Sequence, residues 1–141
     1  MKLTEQLKTE IKLSKPTKFT EAVKPDSILG GYLEALLWAS TDDEGNPLDD
    51  DHSISDITKD AIKRSEADIA KFQKLAKKEL EGLDVEDSQI GNDIFLSRNG
   101  HGAGFFDRDY ADKKILDKLQ AYAEKLGEVY PYAQDGEIGI D

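Results

Sequence analysis

Between Asp26 and His52 the chain places eight acidic residues and no lysine or arginine, so one short stretch holds −8 of a total net charge of −11. Such a block has no sequence neighbours to neutralise it. It must lie in solvent, meet cations brought from elsewhere in the fold, or face a partner. The same stretch opens with the most apolar run of the chain, ILGGYLEALLW from Ile28 to Trp38, which has to be buried. The fold must therefore hide the first half of this segment and expose the second. The composition of TDDEGNPLDDDHS, with Gly45, Asn46 and Pro47 in succession, supplies the turn that separates them.

The remaining elements follow from periodicity and punctuation. After Pro25, Asp26 and Ser27 are placed to cap a core helix through Trp38, in which Gly30 and Gly31 each cost about 1 kcal/mol relative to alanine, so packing has to hold it; a buried strand is the alternative for so short an apolar run. A second helix is predicted from Ser53 or Ser55, with Ile62, Ile69, Phe72 and Ala76 forming one stripe down to Leu80 and Gly82 stopping it. DIFLS at 93–97 and FFDR at 105–108 read as two short strands around a glycine-rich turn. A third helix over 111–126 ends at Gly127, and the tail carries an Asp135-Gly136 hairpin signal, with Pro131 limiting its strand to an edge or a bulge. The sum is an α+β domain over 26–141, a small antiparallel sheet of two hairpins packed against three to four helices. Residues 1–25 read as an N-terminal amphipathic helix, with Leu3, Leu7 and Ile11 on one face, followed by a linker.

Composition narrows the class further. A chain of 141 residues buries roughly two thirds of its unfolded surface and needs no staple. The lack of cysteine removes disulfides, thiolate zinc sites and iron–sulfur clusters, and no apolar run approaches the roughly 18 residues of a membrane span. A cytoplasmic protein without a membrane partner is expected. An acidic balance, with pI near 4.6, disfavours direct nucleic-acid binding and favours cationic partners.

Two stretches carry a resemblance. GYLEALLWASTDDEGNPLDDDHSISDI at 31–57 and IGNDIFLSRNGHGAGFFDRDY at 90–110 closely resemble a family of small uncharacterised proteins encoded by bacteriophages and prophages, whose second segment has the form GHDFWLTRNGHGAGFWDR. The match covers about residues 31–140, with Arg98 to Phe105 its most specific part. The chain departs from that pattern at Asn92, Phe95 and Phe106, where the family tends to have His or Trp. The resemblance implies a phage or prophage origin and assigns no activity.

Two sets of residues are candidates for function. In the glycine loop, Arg98, Asn99, Gly100, His101, Gly102, Ala103 and Gly104 combine backbone freedom with a histidine, and Asp107 and Arg108 follow directly. Strands on either side would bring Arg98 and Arg108 to one phosphate or carboxylate. The segment is neither a dinucleotide fingerprint nor a P-loop, and the plainer reading is a structural turn with its arginines paired to Asp93 or Asp107. In the acidic turn, Asp42, Asp43, Glu44, Asp49, Asp50 and Asp51 lie beside His52. Pro47 occupies the position where an EF-hand loop needs glycine, which leaves a looser Mg²⁺ or Ca²⁺ site, a surface that imitates phosphates, or an ordinary solvated loop. Trp38, Phe95, Phe105, Phe106 and Tyr110 are compatible with an aromatic surface, and the plainer expectation places them in the core where helix meets sheet.

No cofactor or resident metal is expected, and no catalytic set is recognisable. The leading expectation is an acidic binding protein that contacts a host or phage protein in the infected cell, in counter-defence or in the inhibition of a nucleic-acid-handling protein. One alternative is a nucleotide- or anion-binding enzyme in which Arg98 and His101 hold a phosphate while Asp107 orients the imidazole. Another is a virion component packed through its N-terminal helix. Sheet edges in need of cover add homo-oligomerisation to these expectations.

Overall fold

The computed structural model describes residues 23–100 and 102–141. The helix expected from Leu3, Leu7 and Ile11 lies outside the described residues. Within them the chain forms α1 (Ile28–Trp38), α2 (Lys59–Leu75), α3 (Lys77–Glu81), α4 (Asp87–Asn99), α5 (Lys113–Glu124), β1 (Pro131–Gln134) and β2 (Glu137–Ile140). The α+β class is as predicted, with a sheet of one antiparallel hairpin.

Helix α1 starts where its cap predicts: the Ser27 hydroxyl accepts from the Gly30 N–H at 2.9 Å. Its most extensive packing is against α4. The two glycines at their crossing explain the approach, since a Cβ on Gly91 would sit within contact distance of the Ile28 carbonyl and 2.6 Å from the Tyr32 nitrogen. One on Gly31 would lie 2.6 Å from the Ser88 carbonyl carbon. The loss of helix propensity at Gly31 is thus offset by backbone-to-backbone packing that alanine would prevent. Asn92 adds a bond across the same crossing, donating to the Gly31 carbonyl at 2.7 Å.

The segment 93–97 is a correction: DIFLS is the interior of α4, not a strand. Every residue from Asp93 to Arg98 is buried, so the helix is enclosed around its circumference and shows no 3.6-residue alternation to betray it. FFDR is likewise not a strand but a 3-10 turn at Phe105–Asp107. With both strands gone the first predicted hairpin disappears. The second stands, with Tyr132 opposite Gly139 and Ala133 opposite Ile138, closed by Asp135 and Gly136 at φ values of 55° and 82°.

Helix α2 begins later than expected. Ser53 instead opens a 3-10 turn over Ile54–Asp56, with its N–H donating to Asp56 Oδ2 at 3.1 Å. The chain then extends at Ile57, which pairs with Ile138, before Thr58 caps α2. The predicted stripe of Ile62, Ile69, Phe72 and Ala76 is buried as one face. Arg64 reaches from it to the Ile140 carbonyl at 2.7 Å, tying α2 to the hairpin. These residues join one continuous core in which Tyr32 meets Phe95 edge-on and Phe72 stacks on Phe105 with ring centroids 5.6 Å apart. Two aromatic residues predicted for that core lie outside it: Trp38 is 45% exposed and Phe106 is 43% exposed. Trp38 falls four residues after exposed Glu34, on the outer stripe of α1.

Candidate functional site

The glycine-rich segment begins inside α4, and this decides what its residues do. Arg98 lies on the last turn of α4 with its side chain only 2% exposed. Nε donates to the Gly127 carbonyl at 2.6 Å and Nη2 to the Leu126 carbonyl at 2.8 Å, which satisfies carbonyls just past the end of α5. Nη1 donates to the Tyr32 hydroxyl at 3.0 Å and to Asp68 Oδ2 at 2.8 Å. Four of the five N–H donors that a guanidinium carries are engaged within the protein. The expected anion-binding role of Arg98 is therefore corrected: α4 turns its side chain into the core, where its donors meet groups of the protein itself.

Its neighbours act in the same way. Asn99 forms a two-way bond with the backbone of Val129, donating to the carbonyl at 3.0 Å and accepting from the N–H at 2.9 Å. The Ser97 hydroxyl donates to Gln120 Oε1 and accepts from the Phe105 N–H. Gly100 caps α4 in the left-handed conformation at φ 64°. Gly104, at φ 134°, brings the returning chain against Ser97 where a Cβ has no room. Gly102 is exposed at φ 76°. His101, the proposed acid–base group of the loop, lies outside the described residues.

Arg108 and Asp107 separate. Asp107 is exposed, whereas Arg108 reaches Asp93, with Nε donating to Oδ1 at 2.9 Å and Nη2 2.8 Å from the same oxygen. Asp93 is fully buried and also accepts from the Tyr110 hydroxyl at 2.7 Å and from Gln89 at 3.1 Å. An unpaired carboxylate could not stay there; this one is held by a cation and two further donors. The hydrogen bond to Asp93 raises the Arg108 pKa, and burial, followed by the bond to Asp93, pushes the Tyr110 phenol far above its ordinary value. Sequence reasoning considered an Asp93–Arg108 pair but missed Asp93 as a hub. A carboxylate, a hydroxyl and a guanidinium inside a run otherwise as apolar as DIFLSR were the available signal, because polar groups in such a run need partners from elsewhere.

The acidic turn is built differently. Asp42 Oδ1 accepts from the N–H groups of Glu44 and Asn46, both at 2.9 Å, and Thr41 bridges to Pro47. Leu48 is buried as the anchor of a 3-10 turn over Leu48–Asp50, and its N–H donates to the Ser40 carbonyl. Around that anchor Asp43, Glu44, Asp49, Asp50 and Asp51 are exposed and Asp42 is half-buried. Among the described residues no lysine or arginine forms an ion pair with any of the six. His52 turns away towards Asp56, 3.4 Å from Nδ1 to Oδ2. Among the described residues no three His, Asp or Glu side chains converge as a metal would need.

Where the turn leaves α1, the surface opens into a groove of about 270 Å³, lined by residues 39–41, residues 128–131 and Asn99. Among the described residues no lysine or arginine lines it. Helix α1 ends there with no basic residue in its last turn, so no cation of the helix itself offsets the negative end of its dipole. Tyr130 is 60% exposed, and its hydroxyl donates to Glu128, a bond that raises the pKa of the phenol.

No family model, curated protein or solved structure matches the chain.

Its own geometry therefore carries the chemistry. The glycine segment presents interior bonds, and its described cations are committed to Asp68 and Asp93. The acidic turn presents five exposed carboxylates without an ion pair to a described lysine or arginine, and the adjoining groove adds Glu128, an aromatic face and a helix end of the same sign. Such a surface attracts cations by charge and offers an apolar face to whatever carries them.

Proposed function

We propose that the protein is a binding module whose acidic turn docks on a basic surface of another protein. The observation that carries this reading is the set of five exposed carboxylates, Asp43, Glu44, Asp49, Asp50 and Asp51, with no ion pair to any described lysine or arginine. They stand on a turn fixed by Asp42 and anchored by Leu48, so docking them costs less conformational entropy than ordering a free loop. Carboxylates presented in this way take the place of phosphates on a partner that handles nucleic acid, because they meet the same lysine and arginine side chains with the same sign of charge. The resemblance to phage and prophage proteins supplies the setting: a host or phage protein in the bacterial cytoplasm, bound so as to inhibit or redirect it.

The test is capture from host lysate by the full chain, compared with a variant carrying Asp49→Asn, Asp50→Asn and Asp51→Asn. The wild type should retain a basic protein that the variant loses, and binding should weaken steeply as salt rises from about 50 to 500 mM, where the screening length falls below about 5 Å. Equal retention by the two proteins, or binding indifferent to salt, overturns the reading.

A further inference from the structure

We infer that the groove beside the acidic turn is a pocket for one arginine side chain of the partner, stacked on Tyr130 and paired with Glu128. This rests on the docking reading and specifies the chemistry of the bound segment. Three independent features of the groove have the same sign or the same preference. Glu128 brings a carboxylate, the carbonyl end of α1 adds a partial negative charge with no basic residue in its last turn, and the acidic turn begins at the groove wall, one residue after Thr41.

The aromatic face selects among cations. Tyr130 is the most exposed large hydrophobic residue among the described residues, and its hydroxyl is held by Glu128, so ring and carboxylate form one unit. A guanidinium fits such a unit better than an ammonium: its plane stacks on a ring while its forked N–H groups meet a carboxylate, whereas lysine brings a strongly hydrated point charge. A volume of about 270 Å³ is ample for the side chain and small for a folded element. Asn99 does not compete for the carboxylate, because its side chain is bound to the backbone of Val129. The partner's contribution is thus a basic segment that sets one arginine in the groove and its other cations along Asp42 to Asp51.

The experiment is a heteronuclear NMR titration of the full chain at low salt with a capped tetra-arginine peptide and its tetralysine counterpart. The arginine peptide should shift the amides of Ser40, Thr41 and Val129 and the side-chain amide of Asn99 in a saturable way, and should bind more tightly than the lysine peptide. Glu128→Gln should weaken the arginine peptide by about three- to fivefold. Tyr130→Leu, which keeps apolar bulk, should abolish the preference for arginine, a change that simple loosening of the fold would not produce. Both positions are exposed, and an unchanged spectrum away from the groove verifies the fold of each variant. Shifts confined to residues 42–51 overturn the arginine pocket and leave the acidic docking surface standing. No shifts with either peptide remove both. Groove shifts that grow with protein concentration and without peptide identify a second copy of the chain as the occupant, and also overturn the proposal.

Discussion

Replacing Arg98 with methionine removes the cation that joins α4 to α1, α2 and the segment after α5, and the structure sets the size of the effect. Methionine fills most of the aliphatic stem, so little cavity is added and the loss is polar. The Tyr32 hydroxyl is fully buried and loses its guanidinium donor, which costs about 1–3 kcal/mol. The Asp68 side chain is 27% exposed and rehydrates in part, which places this pair at the lower end of the roughly 3–5 kcal/mol seen when a buried ion pair loses one partner. The carbonyls of half-buried Leu126 and exposed Gly127 also recover water. Allowing for that recovery, the net destabilisation is about 3–5 kcal/mol, a large share of the roughly 5–15 kcal/mol that holds a typical domain.

Urea unfolding followed by circular dichroism reads this directly. With a slope near 2 kcal/mol per molar, the midpoint should fall by about 1.5–2.5 M. Arg98→Lys should fall between the two, because an ammonium keeps the charge but its three donors radiate from one atom and cannot span four acceptors. A methionine variant within about 1 kcal/mol of the wild type would refute the reasoning, since Arg98 would then be contributing little to the fold and would again be a candidate ligand for an anion. Stabilisation of the wild type, but not of the variant, by inorganic phosphate would make the same point.

Three further substitutions test the packing and the buried network. Gly91→Ala should destabilise by about 3 kcal/mol or more because its Cβ meets backbone of α1, whereas Gly82→Ala, at φ −98° with open space around it, should be neutral or slightly stabilising; similar melting temperatures for the two would contradict the close crossing. Tyr110 titrates near 10 when unfolded and much higher when folded, so the stability it contributes is fully present below pH 10 and declines as pH rises above it. Tyr110→Phe should be less stable at neutral pH, having lost its bond to Asp93, and should show a shallower alkaline decline in urea midpoint; identical alkaline slopes for both proteins would sink this assignment.

How much of the molecule was legible depended on whether the deciding interaction was local. The Ser27 cap, the stripe from Ile62 to Ala76 and the Asp135-Gly136 turn are each fixed by residues within a few positions, and each was read correctly. DIFLS failed because the helix that contains it is enclosed by α1, α5 and the Phe105–Asp107 turn, and enclosure on all sides erases the alternation from which a helix is read. A continuous path from Asp87 to Asn99 ending at Gly100 was the helix-stop signal that could have outweighed the β-branched and aromatic residues. The start of α2 was misplaced for a related reason: Ser53 is a good cap, but the pairing of Ile57 with Ile138, more than 80 residues away, interrupts the helix it would have begun.

The candidate sites divide along the same line. Arg98, Asn99 and Gly104 are specified by partners at fixed distances and by a backbone angle, so their identities are dictated by Leu126, Gly127, Val129 and Ser97 whether or not a ligand ever approaches. A motif with this much positional demand is distinctive because folding requires it. The acidic turn makes the opposite demand: Asp42, Gly45 at φ 87° and Leu48 are the residues that hold it, and the exposed carboxylates around them would, in the docking we propose, act through charge, which another acid in the same place would supply equally well. The segment with the most distinctive sequence and the surface with the most exposed charge are therefore different parts of the chain, and changes at Asp49, Asp50 and Asp51 test the proposed docking with the fold left intact, in a way that changes at Arg98 cannot.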